Sequence, residues 1–303
     1  MSSKNIIIRA DSSFTIGTGH IMRDLVLAKR LSTQYNANII FATQNLEGNL
    51  NSKIAEDGYE VAILKDSSLE EFQKTIDKYK PFLVVIDNYD ISYNYEKRFK
   101  IQNPNIKLMV IDDTYEKHYC DILLNHNIYA EKKKYKKLVP SWCELQCGEK
   151  YTFLREEFLK EKDVKREKIY DIFISYGGAD TANLNIPTLK VLEEVNKSLK
   201  IVVVTTKANS NLNKLKEYVE DKQNIELKIN TNKIAKLLNQ SKLAIVSPSV
   251  TMNEVWFLKT PFIAIKTADN QKYMVVFLKK KKYNVINKFD NSELKSILRN
   301  LKL

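Results

Sequence analysis

Short β-branched apolar runs alternate with stretches of helical periodicity along this chain, and the alternation occurs twice. Residues 5–10 form an apolar run that ends at Asp11 and read as a buried first strand. From His20 onward, Ile21, Leu25, Ala28 and Leu31 recur at helical spacing with Arg23, Lys29 and Arg30 between them. Further strands are predicted at 38–43, 60–64, 82–87 and 106–112, with shorter pieces at 121–124 and 143–146. Helices are predicted near 47–57 and 68–79. Residues 148–168 read as a bridge, and the charged, weakly apolar 160–168 as a linker. The alternation then restarts, with strands at 170–175, 199–205, 225–229, 243–246 and 261–265. Its helices are a first one running to about Lys197, then 211–221, 231–239, 251–258, 270–281 and 291–301. Strands alternating with helices indicate parallel sheets. The prediction is an α/β protein of two Rossmann-type, doubly wound domains, residues 1–160 and 161–303.

Length and composition fit that picture. A chain of 303 residues accommodates two domains with their own cores. Hydrophobic content of 44% and charged content of 28% belong to a soluble globular protein. No apolar run approaches the ~20 residues that span a bilayer, so no membrane partner is expected. The opening MSSKN lacks the apolar stretch of a signal peptide, and the expected compartment is the cytoplasm. Cys120, Cys143 and Cys147 are too few and scattered for a disulfide framework or a zinc site and read as reduced, structural thiols. The net charge of +12 raises the question of nucleic acid. Only seven of the 49 basic residues are arginine, however, and the runs at 132–137 and 279–282 lack the aromatic interleaving of a stacking groove. A lysine-rich solvated surface is the better reading, and nucleic acid is not expected. That charge can still help attract an anionic substrate.

Three stretches carry candidate chemistry. Residues 11–18 form a polar loop between the first strand and the first helix, with Gly17 and Gly19, two of only seven glycines, at its end. A helix N-terminus behind such a loop can hold a phosphate or another anion. The Gly-Lys-Ser/Thr of a P-loop is absent. Met22 stands where a dinucleotide fingerprint needs a small residue, and the second strand lacks a terminal acid. What remains is a glycine turn delivering His20 to a helix start, a histidine that from these residues alone could be structural or catalytic. A second loop, Tyr176-Gly177-Gly178-Ala179-Asp180-Thr181, repeats strand, two glycines and helix. The third stretch, Ser247 to Glu254, follows a strand and opens a helix; its hydroxyls and N–H groups suit a diphosphate and Glu254 a ribose, although an ordinary capped helix looks alike. Asn270-Gln271 offers another polar wall. Polar residues also close strands at Asp11, Asp87-Asn88-Tyr89, Asp112-Asp113 and Asn125-His126-Asn127. Two such domains with glycine loops facing a shared cleft match the architecture of nucleotide-sugar enzymes.

Asp11-Ser12-Ser13, Gly17-Thr18-Gly19-His20 with Arg23-Asp24, Leu123-Leu124-Asn125, Arg155-Glu156-Glu157-Phe158, Gly177-Gly178-Ala179-Asp180 and Asn253-Glu254 occur in one order. Together, and over almost the whole chain, they resemble the UDP-2,4-diacetamido-2,4,6-trideoxy-β-L-altropyranose hydrolases of pseudaminic acid biosynthesis, the PseG family. The resemblance implies a GT-B fold, shared with MurG-like glycosyltransferases, and hydrolysis of a UDP-sugar with neither metal nor cofactor. It implies UDP against the C-terminal domain, with Gly177 and Gly178 as close backbone neighbours and Ser249, Asn253 and Glu254 as contacts, and Asn270 joins that substrate-binding set. It makes His20 the catalytic residue and places Asp11, Tyr89 and Asn127 on the sugar side, near Gly17 and Gly19. Val250 and Thr251 depart from the small residues expected before Asn253, and Lys282 stands where a helix-ending glycine is usual. His20, at a positive helix end, is expected to stay neutral near pH 7 and to draw a proton from water that attacks the anomeric carbon opposite UDP, inverting it. A monomer is expected. The rivals are a MurG-like glycosyltransferase, which needs an acceptor, a UDP-sugar epimerase, and a protein that binds UDP-sugar or nucleic acid without turnover.

Overall fold

The structure, a computed structural model, describes residues 4–301. The chain divides into two compact units, Met1–Phe153 and Leu154–Leu303. The first runs β1 (Lys4–Ala10), α1 (Gly19–Tyr35), β2 (Ala37–Gln44), α2 (Asn51–Glu56), β3 (Glu60–Leu64), α3 (Leu69–Tyr79), β4 (Leu83–Asp87), α4 (Tyr93–Gln102), β5 (Lys107–Ile111), β6 (Ile122–Asn125), α5 (Lys132–Tyr135) and β7 (Glu144–Cys147). Its strands are ordered β3-β2-β1-β4-β5-β6-β7, every neighbouring pair parallel.

Both faces of this sheet are covered, which is why its strands read as continuous apolar runs rather than alternating ones. Ile6, Ile8, Ile39 and Phe41 pack into one core layer with Leu25, Ala28 and Leu31 of α1. Ile7, Ile40 and Val84 point the other way, against Phe72, Ile76 and Phe99 of α3 and α4. The winding reverses between β1 and β4. Such a switch point leaves an open crevice beyond the carboxyl ends of its two strands, where doubly wound folds bind ligands. Ala10 lies beside Asp87 there, so topology places the 11–18 loop and the 87–89 turn together.

The second unit repeats the plan. It contains α6 (Glu156–Glu161), β8 (Tyr170–Ser175), α7 (Asn185–Val195), β9 (Ile201–Thr205), α8 (Leu212–Val219), β10 (Ile225–Ile229), α9 (Ile234–Asn239), β11 (Ser241–Val246), α10 (Val250–Phe257), β12 (Phe262–Ile265), α11 (Lys272–Lys280), β13 (Asn284–Ile286) and α12 (Asn291–Asn300). Its sheet is ordered β10-β9-β8-β11-β12-β13, again parallel throughout. The switch point lies between β8 and β11, where Ser175 pairs with Val246. The glycine loop at 176–181 and the serine-rich 247–249 turn therefore emerge side by side.

Differences from the sequence reading include the following. Helix α4 carries no strong apolar stripe; it buries only Phe99 and, unusually, Glu96. The division between units falls at Phe153/Leu154, ahead of the 160/161 boundary, because α6 packs on α9 and Glu157 accepts a hydrogen bond from the Ala235 amide at 3.1 Å. β13 lies in a stretch with no assigned strand. Lys282, noted for replacing a terminating glycine, adopts φ 63° just past α11, the left-handed conformation such an end requires. No helix among the described residues is long and apolar enough to cross a membrane.

Candidate active site

In the first unit, Asp11 is a strut. Its Oδ1 accepts the Gln44 amide at 2.7 Å, and its Oδ2 accepts the Asn88 side chain at 2.9 Å while pairing with Arg9 at 2.7 Å. One buried carboxylate thus ties together the ends of β1, β2 and β4. The Ser13 hydroxyl accepts the amides of Thr15 and Ile16 at 3.2 and 2.9 Å. Gly17, at φ 83°, donates its amide to the Ser13 carbonyl at 2.8 Å, closing a turn that a β-carbon would strain. Gly19 opens α1 with an ordinary backbone, and a β-carbon there would meet nothing within 4 Å. The fold therefore gives no reason of its own for glycine at 19. α1 has neither a side-chain cap nor an acid in its first turn, so no carboxylate of that turn competes for an anion.

His20 is one of five side chains that form a closed ring. Its Nδ1 sits 3.0 Å from the Asp87 carbonyl oxygen and 3.3 Å from Asp87 Oδ1. Two acceptors at Nδ1 place the proton there and leave the lone pair on Nε2. Arg23, one turn further along α1, forks onto both oxygens of Asp87, with Nε to Oδ2 at 2.6 Å, and extends its third nitrogen to Asp113 at 2.8 Å. Tyr89 donates its hydroxyl to the other oxygen of Asp113 at 2.7 Å. The Tyr89 ring then meets the His20 imidazole edge-on, 4.6 Å between centroids at 88°, which closes the circuit.

Burial and charge pull on the His20 imidazole in opposite directions within this ring. Burial and the Arg23 charge lower its pKa, but the Asp87 charge together with the hydrogen bonds to the Asp87 carboxylate and carbonyl raises it above the ordinary 6.5. Asp87 itself is held far below the usual carboxylate range, since Arg23 and His20 more than offset its burial.

Asn127 is buried beside this ring's outer members. Its amide nitrogen donates to Asn125 at 3.2 Å and to the Tyr129 hydroxyl at 3.4 Å, and Tyr129 donates to the Asp113 carbonyl. The other two histidines are structural and opposite in character. His118 Nδ1 sits 2.8 Å from Glu96, with Nε2 facing Asp112 at 3.8 Å. Burial opposes its charge, but the two carboxylates push its pKa up to about 9. His126 is fully buried with its ring stacked on Phe153, 4.6 Å apart at 7°. Neither of its nitrogens has a partner among the described residues, and burial, aided by Arg23, pushes it down to about 3.

These two rings predict a stability curve with two limbs. His118, raised on folding, stabilises fully below its unfolded value near 6.5 and loses about 3 kcal/mol as pH rises through 9. His126, depressed on folding, stabilises fully above 6.5 and loses up to about 5 kcal/mol as pH falls toward 3. Urea unfolding against pH should flatten on the alkaline side in His118→Gln and on the acid side in His126→Phe. A limb unchanged by its own variant would contradict the assignment.

In the second unit, Gly177 takes φ 80°. Gly178 has a packing reason of its own, because a β-carbon would lie 2.8 Å from Thr206 Cγ2. Its carbonyl accepts from the Thr206 amide and from both threonine hydroxyls at 2.9–3.0 Å. The expected helix directly behind these glycines is displaced. α7 starts at Asn185, and the Asp180 carboxylate accepts the amides of Leu184 and Asn185 at 2.9 and 3.0 Å, so that helix start is capped internally. Across the switch point Ser249 precedes α10, half-buried, with its hydroxyl 3.1 Å from that of Ser247. Asn253 is fully buried, and Glu254 nearly so. Arg155 grips both oxygens of Glu254 at 2.7 and 2.9 Å. Burial raises the Glu254 pKa, with Arg155 opposing it. Asn270 is exposed in a 3₁₀ turn ahead of α11. The sequence reading singled out neither the Arg23–Asp113 link nor the Arg155–Glu254 clamp.

No family model matches the chain. Among solved structures, the crystal structure of Acinetobacter baumannii MurG superposes with a TM-score of 0.67 at 10% identity, over 99% of this chain and 91% of that one. The fold is thus GT-B-like. An uncharacterised protein of Methanocaldococcus jannaschii is 33% identical over 86% of this chain and 55% of its own length. A Campylobacter jejuni protein named UDP-2,4-diacetamido-2,4,6-trideoxy-beta-L-altropyranose hydrolase is 42% identical over 284 residues, 94% of this chain and 99% of that protein. With that identity sustained from end to end, the chain belongs to the UDP-2,4-diacetamido-2,4,6-trideoxy-β-L-altropyranose hydrolase family.

Proposed function

We propose that this chain hydrolyses a UDP-linked 2,4-diacetamido-2,4,6-trideoxy sugar, releasing UDP and 2,4-diacetamido-2,4,6-trideoxy-L-altropyranose, with His20 as general base. The observation that carries the role of His20 is the double contact of its Nδ1 with Asp87. Held this way, the ring presents its Nε2 lone pair to a water molecule, and the Asp87 carboxylate steadies the imidazolium that forms. The oxygen of that water bonds to the anomeric carbon as the bond from that carbon to the UDP oxygen breaks. The anomeric centre inverts. Because the base must be unprotonated, the rate should rise with pH through a His20 value above 6.5.

Gly17, Gly19, Asp11, Tyr89 and Asn127 are assigned to the sugar, Asp11 through the strand ends that its carboxylate holds together. Gly177, Gly178, Ser249, Asn253, Glu254 and Asn270 are assigned to UDP. An ionised carboxylate has about four acceptor sites, so the Arg155 clamp leaves Glu254 capacity for ribose hydroxyls. The departing diphosphate is stabilised by backbone N–H groups at the glycine loops and helix starts.

The test is incubation with a panel of UDP-diacetamido sugars in ¹⁸O-water, following the anomeric product by NMR. Expected are UDP release without acceptor, inverted stereochemistry and label in the sugar; label in UDP overturns the route. The GT-B-like fold, whose solved examples include glycosyltransferases, supports one rival, a transferase, and UDP release that required an added acceptor would select it.

A further inference from the structure

His20 and Asp24 are one helical turn apart on α1, so their side chains share a face. Asp24 is fully buried, and neither carboxylate oxygen has a hydrogen-bond donor among the described residues. The neighbouring cation, Arg23, directs its guanidinium at Asp87 and Asp113 instead. What Asp24 does meet is the Asp87 carboxylate, within hydrogen-bonding reach. Two buried carboxylates in contact do not both ionise, and Asp87 is the one that carries the ion pairs.

We propose that Asp24 is a neutral carboxylic acid that donates its hydrogen bond to Asp87 and is thereby a positioning residue for His20. The arrangement gives the buried Asp24 hydroxyl an acceptor and locks the carboxylate on which the imidazole turns. Burial and the Asp87 charge push Asp24 in the same direction, well above the carboxylate range, against the opposing charge of Arg23.

The groups facing this pair are His20 and Arg23 from α1, Asp87 from β4 with Tyr89 after it, Asp113 after β5 and His126 after β6. With Asp24 and His126 neutral, one guanidinium faces two carboxylates, and the proton taken up by His20 during attack brings the cluster to neutrality. An ionised Asp24 would add a further negative charge and favour the protonated form of His20, which cannot act as a base.

This inference rests on His20 being the base, so its test includes a readout independent of turnover. Infrared spectra of the full chain labelled with [4-¹³C]aspartate at pH 7 should contain a protonated carboxylic acid carbonyl band that moves with the label and is lost in Asp24→Asn. Asp24→Leu, of similar size but without a donor, should lower kcat about 10- to 100-fold through misplacement of His20, with KM little changed. Asp24→Asn, whose amide can donate to Asp87, should recover most of that loss, and the acid limb of its pH–rate profile should not move. Absence of the band from the labelled wild-type chain would overturn the proposal, whether or not the variants fold. So would an acid limb shifted to lower pH in Asp24→Asn, since that would mean a negative charge had been removed. A His20 variant that kept full activity would sink the general-base reading and leave the band untouched.

Discussion

His20→Asn is expected to lower kcat about 10³-fold, within the 10²–10⁴ range of general base catalysis, while KM for the UDP-sugar changes less than about threefold. Asparagine is close in size and can still donate to the Asp87 carbonyl through its side-chain amide, the bond His20 makes at 3.0 Å. It cannot take a proton from water. Steady-state kinetics with UDP titrated in parallel separates the roles. If UDP binding fell along with turnover, the residue would be holding the loop rather than performing the chemistry. The acid limb of the wild-type pH–rate profile should also disappear in this variant, because its titrating group has gone.

Arg23→Met should have the largest effect on stability. The guanidinium is nearly inaccessible and serves two carboxylates, Asp87 and Asp113. Removing it leaves the Asp87 charge buried without its main partner, a change that typically costs about 3–5 kcal/mol. At roughly 2–4 °C per kcal/mol for a domain of this size, thermal unfolding should fall by about 6–20 °C. Loss of under about 1 kcal/mol would mean that the five-membered circuit around His20 is not a structural element. The same variant should lose turnover beyond its loss of fold, since Asp87 no longer has a fixed place from which to orient the imidazole.

Much of this was legible in the residue pattern for a physical reason. Strands covered on both faces must be apolar throughout, so β1, β4, β8 and β11 announced themselves, and their order of alternation with helices implied the parallel sheets. The Gly17–Gly19 turn, His20 and the Ser247–Glu254 stretch could be picked out because they sit where strands end and helices begin. Helix α4 was not legible, since its buried side includes Glu96, which has a partner only in the folded chain, His118. The upward pull of Asp87 on the His20 pKa was not legible, because the helix end is local in sequence and Asp87 lies 67 residues away. Arg155 and Glu254, 99 residues apart, meet for the same reason only in space. One signal could have found these partners. In a chain with seven arginines among 49 basic residues, each arginine invites the question of which planar fork it serves.

That scarcity has a consequence for how the protein can change. The guanidinium groups of Arg9, Arg23 and Arg155 are committed to inward pairs, whereas the excess of positive charge comes from lysines. Isoelectric point and chemistry are therefore carried by different residue types. Acetylating the exposed ammonium groups, or trading them for glutamine or glutamate, could carry the molecule from basic to acidic while its proton-handling interior stayed as it is.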